Sequence, residues 1–218
     1  MSKNFTAIFF DFDGTLGDTD PDIRQAWLRA MDELNLHCPE FERIFRVGPS
    51  LPETAKMLFP ELPEEQRLLL QNTYKHFYDD AQTYSALPYP GIIDVLHRFH
   101  ENGTKIYVVT NKRVKPTLKL IKKFQITDVC SGIFTPDIIT AATHLSKSEL
   151  LALALKISAS EPQQTLMVGD TELDIEAGKN NHTKTCAVTW GYGRKDFVAR
   201  ANADFTVDSA EQLLELSC

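Results

Sequence analysis

The chain has 218 residues, 43% hydrophobic and 24% charged, with a formal net charge of −7. That is enough for one generous domain, or one carrying a smaller second, with a real core. The acidic balance lacks any basic run that would grip a nucleic-acid duplex, and Cys38, Cys130, Cys186 and Cys218 form no C-x-x-C pair, so neither a zinc site nor a disulfide framework is signalled.

In chain order, the first apolar run, 5–10, stops at Asp11. It is too short for a signal-peptide core and far short of the roughly 20 residues of a membrane span, so the expected setting is a reducing cytoplasm. Residues 7–10 read as a strand. From 18 to about 88 no strand pattern follows, but helical periods cover 21–36, 53–59 and 64–78. Asp20 before Pro21 predicts a helix start, an N-cap residue and then proline at the first helical position. "SALPYPG", 85–91, reads as a return linker.

Beyond it, strands at 105–109, 165–168, 185–189 and 205–207 alternate with helices at 92–101, 117–124, 149–156, 174–179 and 211–216. This rhythm predicts an α/β fold, a Rossmann-like parallel sheet with helices on both faces. The expected organisation is a core of 1–17 and 86–218 with a small helical cap, 18–85, inserted after the first strand. Residues 18–88 hold 13 Asp and Glu against 7 Lys and Arg, an acidic lid that repels large polyanions more than small ones.

Parallel sheets bind ligands at the carboxyl ends of their strands, so the residues leaving each apolar run are the candidates. Asp11 and Asp13 leave the first, two apart and therefore on one side, with Phe12 on the other. Two adjacent carboxylates repel unless a cation joins them, and Mg²⁺, with its preference for oxygen ligands, would resolve this. Gly14 and Thr15 then offer a turn whose N–H groups can face an anion. Thr110 and Asn111 leave "IYVV"; they suit anion contacts or simply the start of the next helix, which Pro116 delays by biasing Lys115 away from helical geometry. Asp170 leaves "TLMVG" as a third carboxylate for the same cation. Asp174 lies three residues after Thr171, a capping-box spacing that needs no further role. Ser146 and Glu149 form another capping box and place Lys147 in a first helical turn, where a cation opposes the helix dipole and calls for an anion nearby.

Together these segments resemble the haloacid dehalogenase superfamily. "DFDGTLGDT" resembles its first motif, "VVTN" its second, Lys147 its third and "GDTELD" its fourth, in the same order and spacing. The position of the insertion is similar to that family's helical cap. "PYPG", "VTWGYG" (188–193) and "ADFTVDSAEQLLEL" (203–216) are most similar to the phosphoglycolate phosphatase-like branch. The chain departs from many relatives in carrying Ser148 after Lys147 and in having "FTPDIITAATHLSK" where a Gly-Asp pair is usual.

The resemblance implies a phosphatase in which Asp11 is the nucleophile that forms an aspartyl-phosphate and Asp13 the general acid and base. Mg²⁺ would be held by Asp11, the Asp13 backbone carbonyl and Asp170. Thr110, Lys147 and N–H groups near Gly14 and Asn111 would hold the phosphoryl oxygens, with Asp174 orienting Lys147 or a metal-bound water. The branches that expel halide or cleave phosphonates lack the second aspartate, so Asp13 favours cleavage of an oxygen ester. A β-phosphoglucomutase-like activity keeps both aspartates, but "DGTL" leans towards hydrolysis. A phospho-receiver also phosphorylates an aspartate beside Mg²⁺, but is much shorter and has no cap. The expected partner is a small phosphorylated metabolite, with 2-phosphoglycolate first and pyrophosphate or nucleoside monophosphates as alternatives. "FRVGPSLPET", 45–54, is the candidate specificity segment, and its Arg46 is a candidate to read a carboxylate or, equally, an exposed arginine on a helix end.

Overall fold

The computed structural model describes residues 5–139 and 145–216. In chain order it runs through β1 (Ala7–Phe10), β2 (Gly17–Asp18), α1 (Asp20–Glu33), α2 (Phe41–Ile44), α3 (Leu51–Leu58), α4 (Glu64–Asp79) and β3 (Leu87–Pro88). Helices and strands then alternate: α5 (Ile92–Glu101), β4 (Lys105–Val109), α6 (Val114–Lys123), β5 (Cys130–Phe134), α7 (Pro136–Ile139), α8 (Lys147–Ser158), β6 (Thr165–Gly169), α9 (Glu172–Asn180), β7 (Lys184–Val188), α10 (Lys195–Ala201) and β8 (Phe205–Val207).

The expected Rossmann-like core is present: six strands form one sheet in the order β5-β4-β1-β6-β7-β8, every pair parallel. Phe10 of β1 lies opposite Val108 on one side and Val168 on the other. Because the chain spreads from β1 in both directions, the exits of β1, β4 and β6 converge where open α/β sheets bind ligands. The two-residue period sorts side chains between the faces. Ile8, Phe10, Ile106, Val108, Leu166 and Val168 enter the larger core, whereas Phe9, Tyr107, Val109 and Met167 pack with Leu150 and Leu151 of α8 in a second. Burial on both faces is why these strands read as unbroken apolar runs.

The structure differs from the sequence reading where local signals are short or overridden. β2 and β3 form a two-stranded antiparallel ribbon, Gly17 opposite Pro88 and Asp18 opposite Leu87, so the stretch taken as free of strands begins and ends in one; two-residue strands carry no periodicity to read. β5 went unexpected because Ser131 and Gly132 interrupt its apolar pattern, which an edge strand tolerates. Thr19, not Asp20, occupies the N-cap of α1, and Asp20 and Pro21 are its first two helical positions. Pro116 does not delay α6: it sits in the first turn, where its missing N–H is no loss, and Val114 N donates to Asp137 Oδ1 at 2.9 Å, tethering the start. The last helical pattern is a 3₁₀ turn, Ala210–Glu215, and α7 and α10 were not expected. Residues 140–144 of the departing "FTPDIITAATHLSK" segment lie outside the described residues.

In the insertion α1 packs on α4, with Trp27 stacked on Tyr74 at 4.5 Å and Tyr74 on Tyr78 at 5.4 Å. The core grips the chain after α4 by its carbonyls: Lys119 Nζ donates to the oxygens of Asp79 and Ala81, and Lys123 Nζ to those of Tyr84 and Ala86. Asp22 of α1 takes the Ser85 and Ala86 N–H groups from the other side. No helix among the described residues is long and apolar enough to cross a membrane.

Candidate active site

At the exit of β1, Phe12 is fully buried and stacks on Phe124 at 5.6 Å, so its neighbours Asp11 and Asp13 turn the other way. Asp11 is buried, and Lys147 Nζ lies 2.7 Å from its Oδ1 and 2.9 Å from Asp174 Oδ1. Among the described residues neither oxygen has another hydrogen-bond partner. Lys147 is the first residue of α8 because Ser146 and Glu149 close a capping box around it. A cation there opposes the helix dipole at a cost of about 0.3–1 kcal/mol, which two buried carboxylates outweigh. Burial works against the ammonium, yet Asp11 and Asp174 together hold Lys147 above the ordinary lysine range.

Asp170, at the exit of β6, is held by three donors: Thr15 Oγ1 to Oδ1 at 3.2 Å, and Tyr192 N and Gly193 N to Oδ2 at 2.6 and 3.2 Å. The turn after β1 presses against it. Gly14 has φ +79°, and a Cβ there would lie 2.3 Å from Asp170 Oδ2, so only glycine combines that conformation with that approach. Asp174 makes both contacts at once: its Oδ2 accepts from Thr171 N at 3.0 Å and Thr171 Oγ1 at 2.6 Å while its Oδ1 faces Lys147.

Asp13 does not join this cluster through its carboxylate. Its Oδ1 accepts from Thr19 Oγ1 at 2.6 Å and from Lys112 Nζ at 2.7 Å, and Lys112 also donates to the Tyr78 hydroxyl at 2.5 Å. Lys112 was missed in the sequence, although it directly follows Thr110 and Asn111 at a strand exit. Thr110 is buried; its N–H donates to Phe134 O and its Oγ1 accepts from Lys112 N. Asn111 reaches the insertion, its Nδ2 donating to Gly48 O at 3.1 Å. Arg46 is 42% exposed in its side chain and lies 3.6 Å from Glu172. Asp13, Arg46, Asn111, Lys112 and Arg113 all border one cavity of about 50 Å³ between insertion and core.

The site carries four carboxylates, Asp11, Asp13, Asp170 and Asp174, against two ammoniums, Lys112 and Lys147. One ligand oxygen from each of Asp11, Asp170 and Asp174 lies within 4.8 Å of the others, and the unbalanced charge matches that of a divalent cation with oxygen ligands. Burial, with help from Asp174 and Asp13, lifts the Asp11 carboxyl to about 6 against the pull of Lys147. Burial, then Asp174 and Asp11, also pushes Asp170 well above the carboxylate range.

A raised folded value means that the metal-free native state holds more protons than the unfolded chain between the ordinary 3.8 and about 6, so stability falls as pH rises through that window. Without divalent cations the melting temperature is therefore expected to drop from pH 4.5 to 7, and Mg²⁺ to restore it at pH 7. Asp170→Asn is expected to raise the metal-free melting temperature at pH 7 by about 2–4 °C and to abolish the Mg²⁺ response. A Mg²⁺ shift of wild-type size in the variant would remove Asp170 from the ion's ligands.

The pattern of the haloacid dehalogenase-like hydrolase family matches residues 8–188. A pyrophosphatase PpaX of Anoxybacillus flavithermus is 30% identical over 98% of this chain and 97% of its own. A phosphoglycolate phosphatase of Aquifex aeolicus is 31% identical over 96% and 95%. Among solved structures, a haloacid dehalogenase-like family hydrolase of Streptococcus pneumoniae superimposes with a TM-score of 0.84 at 26% identity, covering 97% of each chain.

Proposed function

The chain belongs to the haloacid dehalogenase-like hydrolase family, and on that premise we propose that it is a Mg²⁺-dependent cytoplasmic phosphatase hydrolysing a small phosphorylated metabolite, 2-phosphoglycolate first among them, through an aspartyl-phosphate. The observation that carries this reading is Lys147 held between Asp11 and Asp174, with the Asp170 carboxylate in the same cluster.

Asp11 attacks phosphorus in line, forming an O–P bond as the bond to the leaving oxygen breaks. Asp13 donates a proton to that oxygen. Asp13 then takes a proton from water as the water attacks the aspartyl-phosphate, releasing phosphate and restoring Asp11. Lys147, Thr110 and N–H groups near Gly14 and Asn111 hold the phosphoryl oxygens, and Asp174 keeps Lys147 aimed. Mg²⁺ held by Asp11, Asp170 and the Asp13 carbonyl would screen the nucleophile from the anion it attacks and stabilise charge on the transferring group.

Residues 18–85 act as the cap that encloses the leaving group. A cavity of about 50 Å³ between insertion and core, bordered by Asp13, favours a small leaving group over a large one. Arg46, Lys112 and Arg113 at its border favour a leaving group that is itself an anion. Pyrophosphate is the second reading, because it meets the same size and charge and several of the relatives are pyrophosphatases by name.

The test is phosphate release with and without Mg²⁺ over 2-phosphoglycolate, pyrophosphate, nucleoside monophosphates and glucose 1-phosphate. The expected result is Mg²⁺-dependent multiple turnover, greatest on the first two. Isomerisation of glucose 1-phosphate without release would point to a mutase, and a single stoichiometric burst to a receiver.

A further inference from the structure

We propose that Lys112 selects substrates whose leaving group carries its own negative charge, by donating to that charge the ammonium hydrogen not used on Asp13 and Tyr78. The inference rests on the phosphatase reading above and assigns its selectivity to a residue of the sheet core in place of the acidic insertion.

An ammonium has three donors, and Lys112 commits two, to Asp13 Oδ1 and to the Tyr78 hydroxyl. The side chain is only 2% exposed, so its third N–H has little water to turn to, and a buried donor without an acceptor is costly. The residue borders the leaving-group cavity. The other cations there are engaged differently: Arg113 Nε sits on Asp79 at 2.5 Å with Asp137 beyond it, and Arg46 is half-exposed beside Glu172.

Position makes the case specific. Asp13 has to reach the leaving oxygen within about 3 Å to protonate it, and Lys112 Nζ is 2.7 Å from that same carboxylate. A second anionic group a bond or two from the leaving oxygen therefore comes within reach of Nζ. Glycolate presents a carboxylate there, and pyrophosphate its second phosphoryl group. The Tyr78 ring lies under the ammonium at 4.6 Å, and its hydroxyl accepts from the same nitrogen. The insertion thus aims the lysine through Tyr78.

The test compares kcat/KM for 2-phosphoglycolate and pyrophosphate with that for 2-hydroxyethyl phosphate, which is nearly the size of the first but has an uncharged leaving group. Wild type is expected to prefer a charged substrate by at least about tenfold, and Lys112→Met to lower that preference by about 10- to 100-fold, the factor that one hydrogen bond to a charged group carries. All rates fall in the variant, since Asp13 loses a partner; it is the ratio that reports on selection. Equal loss on charged and uncharged substrates overturns the proposal and leaves Lys112 a positioning residue for Asp13. Should Lys112→Met fail to fold by circular dichroism, the wild-type comparison decides, because equal rates on the two substrate types also overturn it. Wild type that releases phosphate from none of the three, nor from nucleoside monophosphates or glucose 1-phosphate, overturns the phosphatase reading itself, a distinct failure.

Discussion

Asp11→Asn is expected to lower phosphate release by at least about 10⁴-fold with the fold intact. The loss is of the size seen when a covalent nucleophile is removed from a working constellation, because an amide oxygen cannot form a stable bond to phosphorus. The substitution is nearly isosteric at a buried site. It also removes a charge that burial already disfavours, as the carboxyl raised to about 6 reports. Lys147 keeps Asp174 as a partner 2.9 Å away, so no buried cation is stranded. Phosphate release and thermal melting at pH 7.5 are the measurements: turnover should vanish while the melting temperature stays level or rises. Turnover above about one part in a hundred, in protein that melts normally, would falsify the nucleophile assignment.

Asp13→Asn is expected to separate the two half-reactions. With 2-phosphoglycolate, whose leaving group needs a proton, steady-state turnover should fall by about 10²–10⁴-fold, the usual contribution of a positioned acid–base. p-Nitrophenolate needs no proton, so with p-nitrophenyl phosphate the first step should survive and the second stall. A burst of one p-nitrophenolate per site followed by a slow steady state is the expected trace. The variant keeps the mount, since Thr19 and Lys112 can still meet the amide oxygen and Lys112 retains the Tyr78 hydroxyl. No burst, with both substrates slowed equally, would assign the residue to positioning alone.

Both experiments address residues that short-range order makes legible. Asp11 and Asp13 share a side because a strand alternates, and Phe12 goes into the core because it is the residue between them. Lys147 opens α8 because Ser146 and Glu149 satisfy that helix's first N–H groups. Asp170 follows an apolar run at a strand exit. What alternation and capping leave open is direction over distance. Lys112 looked like any lysine after a strand, and only the placement of α4 sets Tyr78 on it. Asn111 turns to the Gly48 carbonyl of the insertion. Tyr192 binds Asp170 through its N–H while its hydroxyl accepts from Thr19 N and Asp20 N at the entry to α1.

By itself, then, the sequence determined the parallel core and put the carboxylates and lysine at strand exits and helix starts, since spacing along a chain of known pitch places those groups. The tertiary structure alone decided which charges pair, that Asp174 faces Lys147 as well as its own helix start, and that Asp13 is held from both sides of the cavity. Asp13 and Lys112 are 99 positions apart; there the energy lies in burial and in meeting a partner, and no local period records either.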